Sequence, residues 1–341
     1  MSWFTTEGNL PHHVIFSKTT FVRNLFGMPF SKRLGDKNTD AFFKRADALL
    51  TKNGFHGDVI TESEPLYPLS LAEKGFVDKG ILTSNGRRAV YFNEPCSLSV
   101  ALGGRDLITI SSLLSGLAVS ETANIASGAE ELLDGEFEFA YKEQIGYVSS
   151  IPTLCGSGAV FSTLLFLPAI ASSGEISRLR SAATKMCATI EPLFTYPDCP
   201  GDLYLLSHSP SHPCDEARSA SGFSALVKSI IDREIALEGI MIENSGKIII
   251  DKAWRAYGQL LYARRLEESD MLSLSSAIRL ALAATDAKAK LPPVTIKDLN
   301  YMLGEGLNAS VASASGCGSD EDVATSRAEI VSKMIYTSSG G

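Results

Sequence analysis

A glycine-rich turn is the first part of the sequence whose residue types could take part in chemistry. Gly156, Ser157 and Gly158 follow a short β-rich run and precede a long apolar run. Glycines at this spacing allow the backbone to approach a phosphate group closely, as phosphate-cradling turns do. Yet the segment between Lys142 and Arg178 contains no lysine or arginine, so the turn has no charge of its own for phosphate chemistry.

A second candidate is a segment whose residue types can bind zinc. Its possible ligands are Cys199, His208, His212 and Cys214. The spacing of the two histidines fits a zinc site loosely. Because Pro210 and Pro213 break the local helix on which such spacing usually depends, we predict no metal site here.

Composition excludes several classes of protein. The chain has 341 residues, of which 45% are hydrophobic and 21% charged, so it can bury a full core. Its net charge of -8 argues against nucleic acid or an anionic membrane as the main partner. The longest apolar run, 160–171, contains Pro168 and is too short to span a bilayer.

The N-terminus and the cysteines indicate the compartment. The first residues contain no basic segment followed by an apolar stretch, so no signal peptide is expected. The 6 cysteines include no CxxC pair and are therefore predicted to be reduced thiols. Both observations favour a cytoplasmic protein.

The first two-thirds of the chain mixes predicted strands and helices. Segment 87–112 is predicted to form two strands around a turn at 103–106, and segment 201–210 another strand. Segments 111–133 and 159–174 have the length and spacing of helices. These elements must position the turn and the polar residues around it.

From residue 214 onwards the pattern is helical. Segment 215–243 is predicted to be a long amphipathic helix, with Phe223, Leu226, Ile230 and Ile231 on one stripe. Four more helices are predicted, over 251–270, 271–285, 295–306 and 320–336. An α+β domain to about residue 245, followed by a helical domain, accounts for this change.

Five segments occur in the order seen in bacterial protein arginine kinases of the McsB type, relatives of creatine and arginine kinases. They are residues 13–34, 90–100, 146–170, 203–209 and 256–283. The resemblance spans nearly the whole chain and depends on order and spacing. It implies an ATP:guanido phosphotransferase-like catalytic domain over 11–245, an antiparallel sheet flanked by helices, and an all-α C-terminal domain over 246–336. The implied reaction moves the γ-phosphoryl group of Mg-ATP to an arginine side chain.

Phosphoryl transfer needs positive charge around the transferring group, which this family supplies with arginines. The resemblance places Lys18, Thr20, Ser99, Val160 and Ile190 at those positions. The glycine-rich turn discussed above belongs to the same implied site. Only the lysine keeps a charge, so these positions are predicted to be vestigial.

The resemblance also implies carboxylates that orient the guanidinium and accept its proton, helped by a cysteine. Glu94 remains, but Pro95 stands at the catalytic glutamate, Ile151 at the cysteine and Thr195 at the first acidic residue of a later loop. One catalytic arginine can be worth on the order of 10³–10⁵ in rate. We therefore expect no catalytic residue among these four positions and no kinase activity at the level of the family.

Four polar residues have both a chemical and a structural interpretation. Lys18 could contact ATP alone, but a solvated surface lysine is predicted. Asn93 and Glu94 could hold magnesium or a guanidinium group, but a polar pair at a strand end is predicted. Cys155 could be a displaced nucleophile, but its turn contains no adjacent cation, so an inert thiol is predicted.

The C-terminal arginines have a similar pair of interpretations. Arg264, Arg265 and Arg279 are predicted to serve helix packing and surface charge. The McsB type has an RD-x-x-RA element tied to phosphoarginine sensing. Here Arg327 and Ala328 remain and the first two positions do not, which counts against a sensing role.

Two functions follow from the resemblance. The first is a pseudokinase without a cofactor, acting as a regulatory or scaffolding protein in protein quality control. Its implied partners are a zinc-binding activator, a Clp ATPase, a heat-shock repressor, an active kinase copy or a second copy of itself, bound mainly after residue 250. The alternative is an active, Mg-ATP-dependent protein arginine kinase with an altered site.

Overall fold

An antiparallel sheet positions most of the residues discussed above. The computed structural model describes residues 2–30, 36–60, 65–82, 86–194, 200–210, 216–284, 291–316 and 319–338. Within these ranges the sheet has eight strands in the order β2-β3-β4-β5-β1-β8-β10-β9, each antiparallel to its neighbours. The strands are β1 (Val14–Arg23), β2 (His56–Ile60), β3 (Arg88–Phe92), β4 (Leu98–Leu102), β5 (Ile108–Ser115), β8 (Ala159–Phe166), β9 (Ala188–Pro192) and β10 (Leu203–His208). A separate hairpin is formed by β6 (Tyr141–Lys142) and β7 (Gly146–Tyr147).

Helices cover both faces of the sheet. They are α1 (Asp36–Lys52), α2 (Leu66–Glu73), α3 (Val119–Asp134), α4 (Pro168–Ser172), α5 (Ile176–Lys185), α6 (Glu216–Tyr262), α7 (Glu268–Ala284), α8 (Ile296–Glu305), α9 (Asn308–Ser315) and α10 (Asp320–Ser338). Short 3-10 turns occur at Trp3–Thr5, Lys79–Ile81 and Pro152–Leu154. Ser245 interrupts α6, because its φ of -141° and ψ of 16° are not helical. In the described ranges, none of the helices has both the length and the hydropathy needed to cross a membrane.

Two hydrophobic cores lie on opposite sides of the sheet. One core packs α1, α3 and the first half of α6 against the sheet, through residues such as Phe42, Ala126 and Phe223. The other joins Phe16 of β1 to the C-terminal helices, including Leu303 of α8. The C-terminal helices therefore share a core with the sheet, and the division into domains at 245 stays a prediction.

Strand β1 contributes side chains to both sides of the sheet, because successive side chains point to opposite faces. Thr19 is bonded to Thr122 of α3, and Arg23 to Glu130 of the same helix. The alternate residues of β1 (Phe16, Lys18, Thr20 and Val22) line a cavity on the other face. We call these two surfaces the helix face and the cavity face.

The predicted antiparallel sheet flanked by helices is confirmed, and the strand predicted over 201–210 forms as Leu203–His208. The helix predicted over 215–243 forms as well, but α6 continues to Tyr262 and so includes the start of the helix predicted over 251–270. The helix predicted over 159–174 is wrong: the chain forms β8 there, followed by the short α4. Nearly all of β8 is buried, and a continuous apolar run of this kind occurs in central strands as well as in helices. Segment 87–112 contains β3, β4 and the start of β5 rather than two strands, because a second turn separates β3 from β4. The helix predicted from 111 begins only at Val119, since 111–115 complete β5.

Candidate functional site

A cavity of about 450 Å³ lies on the cavity face and is the candidate functional site. Strands β1, β8 and β10 form its floor, and the segments 72–81 and 104–106 line its sides. Trp3, Leu303 and Leu307 line it as well, so the N-terminus and the C-terminal helices contribute to its wall. We call it the sheet cavity.

Three of the predicted phosphate positions lie in one row across the sheet. Ser99 of β4 pairs with Ser111 of β5, Ser111 with Thr20 of β1, and Thr20 with Val160 of β8. Thr20 and Val160 line the cavity, and the Thr20 Oγ1 lies 3.2 Å from the Ser111 Oγ. The Ser99 hydroxyl donates to the Phe76 carbonyl oxygen at 2.5 Å. This transverse row therefore presents hydroxyl and methyl groups.

Lys18 is one pleat away from the transverse row and lines the same cavity. Its ammonium Nζ donates to the Gly75 carbonyl oxygen at 2.6 Å. Burial lowers the pKa of Lys18 to about 8, and the negative charge of Asp78 opposes this shift. The prediction of a solvated surface lysine is thus wrong. Lys18 is one of the alternate residues of a central strand, with Phe16, Thr20 and Val22, and this position was the sequence signal that its side chain lines the cavity.

Ile190 is not brought to the cavity. It is buried on the helix face, in the core that also contains Leu206. Its neighbour Glu191 lines the cavity instead and adds a carboxylate to the lining. The structure therefore places an acidic residue near the position where the resemblance implied a phosphate-binding one.

The glycine-rich turn is held by bonds within the protein. Gly156 and Gly158 have positive φ of 117° and 60°, which only glycine adopts without strain. The Arg23 guanidinium donates to the Ser157 carbonyl oxygen at 3.1 Å, and the Ser157 hydroxyl donates to the Pro210 carbonyl oxygen at 2.9 Å. A Cβ on Gly158 would lie 2.4 Å from Arg23 Nη1. The glycines therefore allow the turn to pack on an internal arginine.

Arg23 is itself fixed on the helix face. Its Nε donates to Glu130 Oε1 at 2.6 Å, and its guanidinium carbon lies 3.6 Å from the centre of the Tyr147 ring. The arginine side chain is completely buried. Arg23 therefore links the turn to α3.

The turn between β3 and β4 holds two of the predicted catalytic positions outside the cavity. The Asn93 side-chain oxygen accepts from the backbone N–H groups of Ser97 and Leu98, each at 3.0 Å, and so closes the turn. Glu94 and Pro95 are exposed there and do not line the cavity. Ile151 does line it, and Thr195 lies outside the described residues.

Within the described ranges, the candidate nucleophile Cys155 and the candidate zinc ligands do not form a site. The half-buried Cys155 thiol lies 3.5 Å from the Ser149 carbonyl oxygen. His208 bonds the Cys187 carbonyl oxygen through Nδ1 at 2.9 Å and stacks on Phe223. The other three zinc candidates, Cys199, His212 and Cys214, lie outside the described residues. Among residues 2–30 and the other described ranges, no three His, Cys, Asp or Glu side chains group closely enough for a metal ion.

Asp106 is a buried carboxylate at the cavity that the sequence analysis missed. Its Oδ1 accepts from Asn24 Nδ2 at 2.7 Å and from the Ser150 backbone N–H at 2.6 Å. Its Oδ2 accepts from the Ser149 hydroxyl at 3.0 Å. This carboxylate therefore ties three segments together and is engaged by the protein itself.

A second missed cluster lies between the N-terminal segment and α6. His13 Nε2 is 2.8 Å from Glu238 Oε2, and both residues are buried. Glu234 accepts from the backbone N–H groups of Ala169 and Ile170 at 2.6 and 2.8 Å, so it caps α4. Desolvation raises the pKa of Glu234 to about 7. In the sequence, Glu234 and Glu238 follow the apolar stripe of α6 at helical spacing. This spacing was the signal that both side chains are buried.

The C-terminal arginines divide into buried and exposed groups. Arg327 is buried and donates to the carbonyl oxygens of Gly306 at 2.6 Å and Leu266 at 2.8 Å, which ties neighbouring helix ends together. Arg279 donates to Asn300 Oδ1 at 2.6 Å, and burial lowers its pKa to about 9. Arg264 and Arg265 are exposed. Packing and surface charge therefore account for these four residues.

Curated relatives match most of the length of the chain. A protein-arginine kinase from Pelotomaculum thermopropionicum is 25% identical over 290 residues, which cover 82% of this chain and 81% of the relative. Another, from Symbiobacterium thermophilum, is 26% identical over 307 residues, which cover 87% and 86%. Both similarities are similarities of amino-acid sequence.

Solved structures share the fold. Lombricine kinase aligns with a TM-score of 0.56 at 15% identity, over 69% of each chain. The substrate-free duplicated taurocyamine kinase from Schistosoma mansoni aligns with a TM-score of 0.53 at 17% identity, over 65% of this chain. The chain spans about a third of that duplicated protein, since the alignment covers 32% of it. At such identities the likeness concerns the fold alone.

The sequence model described as ATP:guanido phosphotransferase, C-terminal catalytic domain, matches residues 45–237. This range is more than half of the chain, and it contains seven of the eight sheet strands. The expected resemblance is therefore confirmed, and the chain belongs to the ATP:guanido phosphotransferase family.

Proposed function

We propose that the protein is a non-catalytic member of its family that acts by binding other proteins. The observation that carries this proposal is the transverse row, in which Ser99, Thr20 and Val160 stand where the resemblance implies phosphate-binding arginines. A charge-assisted hydrogen bond contributes about 1.5–3 kcal/mol. The protein therefore lacks several hydrogen bonds that would contribute to its affinity for a polyphosphate.

The remaining charges around the sheet cavity are of mixed sign. Three cationic side chains line it, namely Lys18, Lys79 and Arg105. They are offset by the carboxylates of Glu73, Asp78, Asp106 and Glu191. Such a lining does not replace a row of arginines for a ligand that carries several negative charges.

A proton acceptor for the guanidinium is missing from the positions where the resemblance implies one. Glu94 and Pro95 are in an exposed turn away from the cavity. Asp106 lines the cavity, but its two oxygens already accept three hydrogen bonds from the protein. Without a base, positioning of a substrate arginine does not lead to transfer.

Isothermal titration calorimetry with Mg-ATP tests this proposal, with an active protein-arginine kinase as the positive control. We expect no saturable binding at millimolar nucleotide and no increase in melting temperature, because a ligand stabilises the native state only when it binds. A dissociation constant below about 1 mM, or about -4 kcal/mol, would overturn the proposal.

We further propose a regulatory or scaffolding role in protein quality control through a surface on the second half of α6. Exposed apolar residues there include Ile248 and Tyr262. The proposed partner is a second copy of the chain or a protein of the kind that the family implies, such as a Clp ATPase. Contact with another protein along this helix would bury these exposed apolar side chains.

Point variants test this surface better than fragments do, because the C-terminal helices share a core with the sheet. We expect Ile248→Glu to reduce the mass measured by light scattering, or the capture of a partner. Ile235→Glu is the matched control, since Ile235 is 46% exposed on the same helix before the break at Ser245. Equal association of both variants and the wild type would place the surface elsewhere.

One observation favours the alternative of an active kinase with an altered site. The sheet cavity has a volume of about 450 Å³ and keeps Lys18, Lys79 and Arg105 in its lining. This alternative requires Mg-ATP to bind there with help from Lys18. Saturable Mg-ATP binding that Lys18→Met removes and Arg45→Met keeps would support it over our proposal.

A further inference from the structure

We propose that the sheet cavity binds an apolar ligand with a single carboxylate, which Lys18 and two neighbouring hydroxyl groups hold. This inference rests on the proposed function, because a cavity that served Mg-ATP would have a different occupant. It names the class of ligand that the same cavity takes in place of a nucleotide.

The size and lining of the cavity fit a small and mostly apolar molecule. Pockets for small ligands are typically about 300–1,000 Å³, lined by apolar side chains with a few polar groups. The sheet cavity measures about 450 Å³. Apolar side chains from several segments line it, among them Trp3, Phe16, Val77, Leu164, Leu303 and Leu307.

Lys18 supplies the positive charge for the carboxylate. Its ammonium has three N–H donors, and the Gly75 carbonyl oxygen accepts one of them. Within the described part of the chain, no carboxylate is hydrogen-bonded to Lys18, so Asp78 acts on it only at a distance. Lys18 is only partly exposed, and an ammonium withdrawn from water is stabilised by an opposite charge, which a ligand carboxylate provides.

Two hydroxyl groups complete the seat for the carboxylate. Lys18 pairs in register with Ser162 of β8, and Ser162 with Ser207 of β10. Their Oγ atoms are 3.0 Å apart, and both residues line the cavity. Both hydroxyls lie on one side of Lys18 on the same sheet face, and one of them donates to the other. The two remaining ammonium N–H groups and one hydroxyl O–H are therefore the donors available to the two oxygens of a carboxylate.

Lys18 is the least exposed cation of the cavity. Lys79, Arg105, Asp78 and Glu191 also line the cavity, but all four are exposed, so solvent screens them. The half-buried Glu73 accepts from the backbone N–H groups of Ala309 and Ser310 and is engaged by the protein. One partly buried cation therefore matches a ligand with one negative charge.

Calorimetric titration of the full chain with octanoate and octanamide tests the inference, since these probes share an alkyl chain and differ in charge. We expect saturable octanoate binding and binding of octanamide that is about tenfold or more weaker, the factor that one charge-assisted hydrogen bond supplies. Lys18→Met removes the ammonium, keeps the side-chain length and should remove the advantage of octanoate. Lys79→Met is the matched control at the exposed rim and should keep it.

The pH dependence gives a second measurement that needs no variant. The affinity for octanoate should fall as the pH rises through about 8, where Lys18 loses its proton, while that for octanamide stays constant. If Lys18→Met fails to fold, this measurement decides. Equal binding of the two probes, or a pH-independent preference for octanoate, would overturn the inference.

A parallel titration with Mg-ATP separates the two possible failures. Saturable Mg-ATP binding would overturn the proposed function. If neither Mg-ATP nor octanoate binds, only the present inference is overturned, because the cavity would then take no ligand of this class.

Discussion

Polar side chains of β1 have different hydrogen-bond partners on the helix face and on the cavity face of the sheet. On the helix face, Arg23 is bonded to Glu130 and Thr19 to Thr122, so their polar groups serve the fold. On the cavity face, Lys18 has one backbone partner, and Thr20 has one long contact to Ser111. The difference indicates that changes on the helix face damage stability, whereas changes on the cavity face alter what the cavity binds.

The largest expected effect is that of Arg23→Met on the helix face. Removal of one partner of a buried ion pair leaves an uncompensated charge, and we expect a loss of about 3–5 kcal/mol in the free energy of unfolding. Urea denaturation measures it. Arg265→Met is the control, because the Arg265–Glu267 pair is exposed and should contribute less than about 1 kcal/mol. Similar losses in the two variants would contradict the account of the helix face.

Gly158→Ala should have the next largest effect. An alanine there would need a φ of 60° and would place its Cβ 2.4 Å from Arg23 Nη1 and 2.8 Å from the Val22 carbonyl oxygen. We expect a loss of about 3 kcal/mol, from strain together with steric overlap. Gly54→Ala, with a φ of 81° and nothing within 4 Å, should lose about 1–2 kcal/mol from strain alone. Denaturation of both variants under the same conditions separates backbone strain from steric overlap. Equal losses would contradict the close packing of the turn on Arg23.

The buried carboxyl of Glu234 predicts a dependence of stability on pH. Desolvation raises the pKa of Glu234 to about 7, above its value in the unfolded chain, so the folded state favours the protonated form. This stabilisation is fully present below the unfolded pKa of 4.5 and is lost as the pH rises through about 7. We expect a decrease of about 1–3 kcal/mol over that window. Glu234→Gln should show a flatter profile, and a profile as steep as that of the wild type would assign the effect to other groups.

The smallest effect comes from adjacent threonines of β1. Thr19→Val removes a hydroxyl whose partner, Thr122 Oγ1 at 2.8 Å, is also fully buried, and we expect a loss of about 1–2 kcal/mol. Thr20→Val removes a weaker contact of 3.2 Å on the cavity side, and the loss should be below about 1 kcal/mol. Thermal unfolding of both variants gives the comparison. A larger loss for Thr20→Val would reverse the assigned roles of the two faces.

Much of the fold could be predicted from sequence, because the order and spacing of motifs implied the sheet and the apolar stripe over 215–243 indicated the first part of α6. The apolar run of β8 could not be assigned from periodicity, since a strand that is buried on nearly every residue lacks the alternation of a half-exposed strand. Segment length and flanking turns did not separate it from a helix.

The candidate site was predicted less completely than the fold. The positions Thr20, Ser99 and Val160 follow from the motifs, but their alignment in one row requires the register of four strands. Asp106 and the His13–Glu238 pair depend on contacts between segments far apart in the chain, which a single sequence does not reveal. The side on which Ile190 lies was equally a matter of register. That these positions bind no phosphate stays a prediction.

The most direct test of the central claim is an assay for phosphoarginine formation by the full chain, with labelled Mg-ATP and an arginine-rich protein substrate. We predict no acid-labile label above the level without enzyme, because the transverse row has no arginine and Glu94 lies outside the cavity. A Thr20→Trp variant, which fills the cavity floor, distinguishes the protein's own activity from a contaminant. Acid-labile label that the wild type forms and Thr20→Trp does not would contradict the account.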